Sequence, residues 1–238
     1  MTLQKSPTAY LAVGFFIVFL LLSFYDGGTL TNRGIRVVPN IAAVIIIFTS
    51  VKISNNIYIF YFLLLLFLSS ITSFGYTKFI FRELTIIFNF LAYVALGYSI
   101  IPKLKSIKTN WFLSFYFFIA FCVTLYLFNQ LLDIKKDKLV DTLNYILMNL
   151  NILGFVFVIA SSSLYLNHSL SKKSMLFFVI GLIFILSEIT RFALYYSDAY
   201  VDLFYYSSRF LYILGLSLLI FYCKYKNIHT THSNTTEA

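Results

Sequence analysis

From Met175 to Tyr196 the chain reads MLFFVIGLIFILSEITRFALYY, apolar over the length of a bilayer core yet carrying Glu188 and Arg191 within it. A membrane-spanning helix needs about 20 such residues. A charge near its centre costs roughly 2.5–3.5 kcal/mol on insertion scales. Glu188 and Arg191 stand at i and i+3, so in a helix they share a face and can pair. Pairing lowers the cost but does not explain why the charges are there. Such a pair marks either a functional site in a bundle interior or a clasp between helices.

The rest of the chain fits that setting. Only 11% of its 238 residues are charged and 60% are hydrophobic, where a soluble domain averages about 25% charged. This is the composition of an integral membrane protein. The net charge of +9 is scattered over short loops, where it sets orientation, and forms no nucleic-acid surface. The 28 Phe and 19 Tyr serve as lipid-facing and interfacial side chains. Cys122 and Cys223 both fall in apolar segments and are expected to be small core residues. Their spacing predicts no disulfide framework and no metal site, and no cofactor is expected.

Hydropathy predicts an all-α, polytopic bundle of about eight transmembrane helices in a single domain, residues 1–226, followed by a disordered polar tail, 227–238. The spans are placed at 8–24, 37–51, 57–74, 79–101, 110–132, 142–166, 175–196 and 203–222. The first lacks a small-residue cleavage site and is expected to be retained. Asp26-Gly27-Gly28 breaks the chain after it, and Thr29 to Arg36 is expected to be a polar loop. Pro39 then falls in the first turn of the second span, where it is tolerated. Arg82 and Glu83, near the start of the fourth, are expected to snorkel to the interface, and Pro102 to end that span. An even number of spans puts both termini on one side. A slight excess of Lys and Arg makes that side the cytoplasm, as in a bacterial inner membrane.

The chain also resembles itself. Leu68-Ser69-Ser70-Ile71-Thr72-Ser73-Phe74 matches Leu186-Ser187-Glu188-Ile189-Thr190-Arg191-Phe192 except where Ser70 faces Glu188 and Ser73 faces Arg191. In the helix that follows each, Asn89-Phe90-Leu91 corresponds to Arg209-Phe210-Leu211. The expectation is two four-helix halves, about 1–108 and 109–226, related as a parallel internal repeat with a site between them. Arg191 and Arg209 fall roughly 7–9 Å below the same membrane face, with Glu188 about one turn deeper. The candidate site is therefore Glu188 with Arg191 and Arg209, lined by Ser187, Ser70 and Asn89. Two guanidiniums beside a carboxylate suit an anionic lipid headgroup; the same residues suit a structural ion-pair network.

Several of these residues resemble the YhhN family, the lysoplasmalogenases. Ser187-Glu188 stands where that family has Ser-Asp in its seventh helix. Pro39 stands where it has Lys-Pro, with Val38 replacing the lysine. Tyr145 to Met148 is similar to its Tyr-x-x-x-Met pattern, shortened by one residue, and Tyr205-Tyr206 to the Tyr-Tyr opening its last helix. The resemblance implies eight membrane helices and hydrolysis of the vinyl ether of a lysophospholipid, with Glu188 as the catalytic acid and Arg191 and Arg209 on the phosphate. The family's third-helix acid is absent, Ser70 lying at or beside its place, which breaks the usual pairing of two carboxyl groups in acid–base chemistry.

No other motif carries chemistry. The chain has no Gly-rich phosphate loop. Ser161-Ser162-Ser163 lacks a His-Asp partner, and His229 and His232 lie in the polar tail. The partner expected is a membrane lipid. The alternative is a non-catalytic membrane protein, a transporter or sensor subunit, in which the same cluster gates or clasps helices and Asn129, Gln130, Asn149 and Asn151 line a polar path.

Overall fold

The computed structural model describes residues 7–23, 28–50, 57–75, 78–104, 142–196 and 201–224, together with positions 115, 118, 119, 122 and 126. Helix α1 is Pro7–Ser23, α2 Gly28–Ser50 and α3 Ile57–Thr72, which ends in a 3₁₀ turn, Ser73–Gly75. Then follow α4, Phe79–Tyr98; a short α5, Ile101–Leu104; α6, Thr142–Ser169; α7, Lys172–Tyr196; and α8, Val201–Lys224. No strand occurs among the described residues. Among the described residues, five segments are long and apolar enough to cross a membrane: Ile57–Gly75, Phe79–Leu104, Tyr145–Ser169, Lys172–Arg191 and Asp202–Cys223. Two shorter apolar helical stretches are Tyr10–Leu22 and Arg36–Ile47. This is the architecture of an integral membrane protein. Most of the span expected at 110–132 and the whole of the tail lie outside the described residues.

Three expectations are corrected. Thr29 to Arg36 is not a loop; it is the first third of α2, and Pro39 sits in the helix interior. In lipid an irregular backbone leaves its N–H and C=O groups without partners, whereas a helix satisfies them internally. Pro39 removes a single N–H, a defect membrane helices tolerate. Second, the fourth span breaks at Ser99, before Pro102. The proline ring would clash with the carbonyl four residues back, that of Tyr98, so the break falls one turn early. The Ser99 N–H shares its bond between the carbonyls of Ala95 and Leu96, and Pro102 is the second residue of the next short helix, α5. Third, Cys122 is exposed. Among its described neighbours Phe115, Phe118, Ile119 and Tyr126 are exposed too, and their spacing puts all five on one helix face.

The bundle is assembled from two tight pairs, α3 with α4 and α7 with α8, joined where α6 lies against α4 and α7 and where α1 and α2 lie against α8. Helices α4 and α6 run the same way, because Gly154 faces Phe90 while Gly97 faces Phe157 and Ser161. The centre is aromatic. Phe62 meets Tyr93 and Phe184 edge-on, Phe184 meets Tyr212, and Tyr93 meets Phe155. In lipid the helices gain little from burying apolar surface against each other, so close contact at small residues carries much of the association. A Cβ on Gly97 would stand 2.5 Å from the Phe157 ring.

The Gly97→Ala variant is therefore expected to lose stability. Overpacking costs about 1–3 kcal/mol, against the ~1 kcal/mol that alanine gains over glycine in a helix. Gly14, whose Cβ would meet no described residue within 4 Å, is the control, and Gly14→Ala should match or exceed the parent. Thermal unfolding in detergent checks both. A Gly97→Ala melt at or above that of the parent would show that the two helices do not close at this glycine.

Candidate functional site

Helix α7 starts at a serine box. The Ser174 N–H donates to Ser171 Oγ at 3.1 Å and the Ser171 N–H donates to Ser174 Oγ at 3.0 Å, satisfying donors that the helix itself leaves open. Four turns on, Glu188 reaches the bundle interior with 4% of its side chain exposed. Arg191 Nη2 pairs with Glu188 Oε2 on the same helix face. The second partner is one the sequence did not reveal: Arg36 Nη1 of α2 lies 3.7 Å from Glu188 Oε1. Glu188 is thus held between two guanidiniums from two helices.

Arg36 leads into a hydrogen-bonded chain. Its guanidinium stands 4.9 Å from the centroid of the Tyr212 ring in α8. The Tyr212 hydroxyl donates to Asn40 Oδ1 at 2.5 Å. Asn40 Nδ2 donates to Ser70 Oγ at 2.9 Å and lies 3.4 Å from the Leu66 carbonyl, both in α3. The Ser70 hydroxyl in turn donates to Leu66 O at 2.8 Å. One buried asparagine therefore ties α2 to α3 and α8, one turn along α2 from the arginine that ties it to α7.

Of the residues singled out from sequence, Glu188 and Arg191 meet directly, and Ser70 joins them through Asn40 and Tyr212. Ser187 and Asn89 serve within the helix pairs. Ser187 Oγ donates to the Ser208 carbonyl at 2.8 Å. Asn89 Oδ1 accepts from Ser69 Oγ at 2.8 Å, and that hydroxyl also reaches the Thr85 carbonyl at 3.1 Å. Arg209 is 5% exposed, with its guanidinium 3.8 Å from the centroid of the Tyr205 ring, a cation–π contact strengthened by burial. In α6, Asn149 Nδ2 donates to the Tyr145 carbonyl of its own helix, and Asn151 is buried. Asn129 and Gln130 lie outside the described residues.

Beneath the ions lies Tyr93 of α4, fully buried, close enough to feel the charges of Glu188, Arg191 and Arg36. Its hydroxyl has no hydrogen-bond partner among the described residues, although a buried hydroxyl normally finds one. A helical side chain leans toward the N-terminus of its helix, so Tyr93 reaches toward the end of α4 where α3 and α4 join.

Sequence reasoning missed Arg36, Asn40, Tyr212 and Tyr93. A signal existed for two pairs. Arg36 and Asn40 are at i and i+4, and Arg209 and Tyr212 at i and i+3, spacings that place polar groups on one helix face. Arg36 was hidden by being assigned to a loop.

No protein-family model matches the chain, and no curated protein and no solved structure matches it either.

The Asn40 chain generates a double-mutant prediction. Asn40→Leu and Tyr212→Phe should each destabilise the protein, and the double variant should be little worse than the worse single. Hydrogen bonds measured between membrane helices average about 0.6 kcal/mol and reach about 1.7, so a coupling in that range is expected from thermal or denaturant unfolding. Additive losses would mean that the two side chains do not share a bond.

Proposed function

We propose that this chain is a divergent YhhN-like membrane protein that binds an ether lysophospholipid at Glu188 and the arginines around it, and hydrolyses it. The observation that carries the reading is a carboxyl group held inside a membrane protein between Arg36 and Arg191. Ions at this depth are costly enough that function is their default explanation. Guanidiniums recognise phosphate through paired, directional donors, which assigns the headgroup to Arg191 and Arg209, with Ser187, Ser70 and Asn89 as polar lining. Glu188 would handle the proton. In vinyl ether hydrolysis the proton adds to the alkene carbon remote from oxygen. Water then adds to the carbon bearing oxygen, and the hemiacetal so formed releases a long-chain aldehyde and a glycerophosphodiester that carries no chain.

The same proposal takes the chain as eight crossings in two parallel four-helix halves, with cytoplasmic termini in a bacterial inner membrane. Supporting the repeat, the matched serines Ser69 and Ser187 each donate across their own helix pair, to Asn89 and Thr85 in one case and to Ser208 in the other. Reporter fusions in successive loops check the topology. An odd number of crossings, or termini on opposite sides, would overturn it.

A second reading is favoured by a specific observation. The ion cluster and the Asn40 chain together fasten α2 to α3, α7 and α8, which is what a non-catalytic helix clasp in a transporter or sensor subunit requires. Hydrolysis of lysoplasmalogen by the purified protein separates the two. The enzyme reading expects turnover that falls about 100-fold or more in Glu188→Gln, the scale of a lost proton-transfer group, and persists in Cys122→Ala. Absence of turnover by well-folded protein would remove the enzyme and leave the clasp.

A further inference from the structure

Helix α6 ends at Ser169 and α7 begins at Lys172, so the two run in opposite directions, and three contacts fix their register. The Tyr165 and Phe177 rings lie 6.4 Å apart. A Cβ on Gly181 would stand 3.1 Å from Val158 Cγ1 and 3.7 Å from Ser162 Oγ. Seven residues before Val158 stands Asn151, and seven residues after Gly181 stands Glu188. Seven residues make about two turns and return to nearly the same helix face. Asn151 therefore comes level with Glu188, on the face that α6 turns to α7.

Tyr93 arrives at the same level from α4. Its Cβ lies 3.4 Å from where a Cβ on Gly154 would be, and its ring is 4.7 Å from that of Phe155. The ring leans toward the start of α4. Because α4 runs parallel to α6, the hydroxyl reaches about one turn down α6, to the level of Asn151. Among charged side chains, Glu188 acts on it most strongly. Tyr93 is fully buried and Asn151 is 8% exposed. The Tyr93 hydroxyl and Asn151 Oδ1 both have no hydrogen-bond partner among the described residues, a costly state inside lipid. The three groups make a specific demand. Tyr93 offers a donor, Asn151 Oδ1 an acceptor and Glu188 a charged acceptor. A group that completes all three accepts one hydrogen bond and donates two. Phosphate, carbonyl and ether oxygens donate none, and an alcohol donates one. Water donates two, and buried waters typically make about three hydrogen bonds to groups of this kind.

We infer that Tyr93, Asn151 and Glu188 hold a water molecule inside the membrane bundle, accepting from Tyr93 and donating to the other two. On the hydrolase reading, on which this step rests, it is the water that the reaction consumes. Glu188 delivers its proton to the alkene carbon, leaving a cation stabilised by the ether oxygen. The water oxygen then bonds to the carbon bearing that oxygen, and one water proton passes to the Glu188 carboxylate. The substrate gains the elements of water, and Glu188 ends protonated as it began. Tyr93 and Asn151 are positioning residues. They occupy one lone pair and one hydrogen of the water and leave the second lone pair for the carbon.

Two measurements on the full-length protein in detergent test this. The first is infrared difference spectroscopy in heavy-oxygen water, which shifts the stretching band of a bound water and leaves that of a tyrosine hydroxyl in place. The parent should show a shifted band that is missing from Tyr93→Phe and from Asn151→Leu. The second uses methanol as a competing nucleophile, so that turnover divides between the aldehyde and a methyl acetal. A held water has an advantage over a free competitor, so Tyr93→Phe should raise the acetal share about threefold or more. Cys122→Ala should keep the parental ratio. Loss of folded protein lowers both products alike and leaves that ratio unmoved. Should Tyr93→Phe fail to fold, Asn151→Leu decides both measurements. No shifted band, or one kept by both variants, would overturn the water site. A parental product ratio in the variants would overturn its part in the reaction. No turnover by folded parent would overturn the hydrolase reading, and the infrared result would then decide the water by itself.

Discussion

Inside a bilayer a polar group has no water to turn to, and the structure is arranged around that constraint. Asn40 shows it best. Its amide has donors and acceptors to satisfy, and all the partners described for it come from other helices: Ser70 and Leu66 in α3 and Tyr212 in α8. Such bonds are modest in membranes, because the separated helices also find partners. Their value here is directional. An apolar helix face fits lipid as well as it fits another helix, whereas an asparagine side chain fixes rotation and depth at once. Glu188 imposes the same discipline on α2 and α7 through Arg36 and Arg191.

Packing then completes what the polar contacts orient. Gly154 faces the Phe90 carbonyl and Gly97 the Phe157 ring, so α4 and α6 approach closely where side chains are smallest. Gly215 likewise receives the Phe184 ring, the ring that links Phe62 on one side to Tyr212 on the other. The aromatic layer thus lies directly under the polar one. Tyr212 belongs to both, with its ring in the core and its hydroxyl on Asn40.

Two charged groups occupy different ends of the described bundle. Arg36 and Arg191 gather with Glu188 toward one end, and Lys103 and Lys173 lie against Tyr165 and Tyr222 at the other. The two residue types suit the two settings. Arg191 and Arg36 pair with a carboxyl group inside the protein, a partner that a planar guanidinium suits. Lys103 and Lys173 sit at helix ends, where a flexible stem lets a point charge reach the boundary.

The sequence alone determined that the chain is helical and membrane-bound, where most described helices run, and that Glu188 and Arg191 pair. These are local properties: the length of an apolar run, the place of a proline, a spacing of three residues. Locality also explains the misplacements. Arg36 looked like a loop residue because its charge was visible and its partner on α7 was not. The end of α4 was put at Pro102, although the steric demand of a proline acts on the carbonyl a turn earlier. Tertiary structure alone decided that Arg36 reaches Glu188, that Asn40 joins Ser70 to Tyr212, and that Asn89 serves Ser69 within its own helix pair. Those meetings depend on which helices are neighbours and how each is rotated. In lipid, hydrophobicity says almost nothing about either, because every apolar face is equally well solvated; only interhelical packing and the pairing of buried polar groups choose.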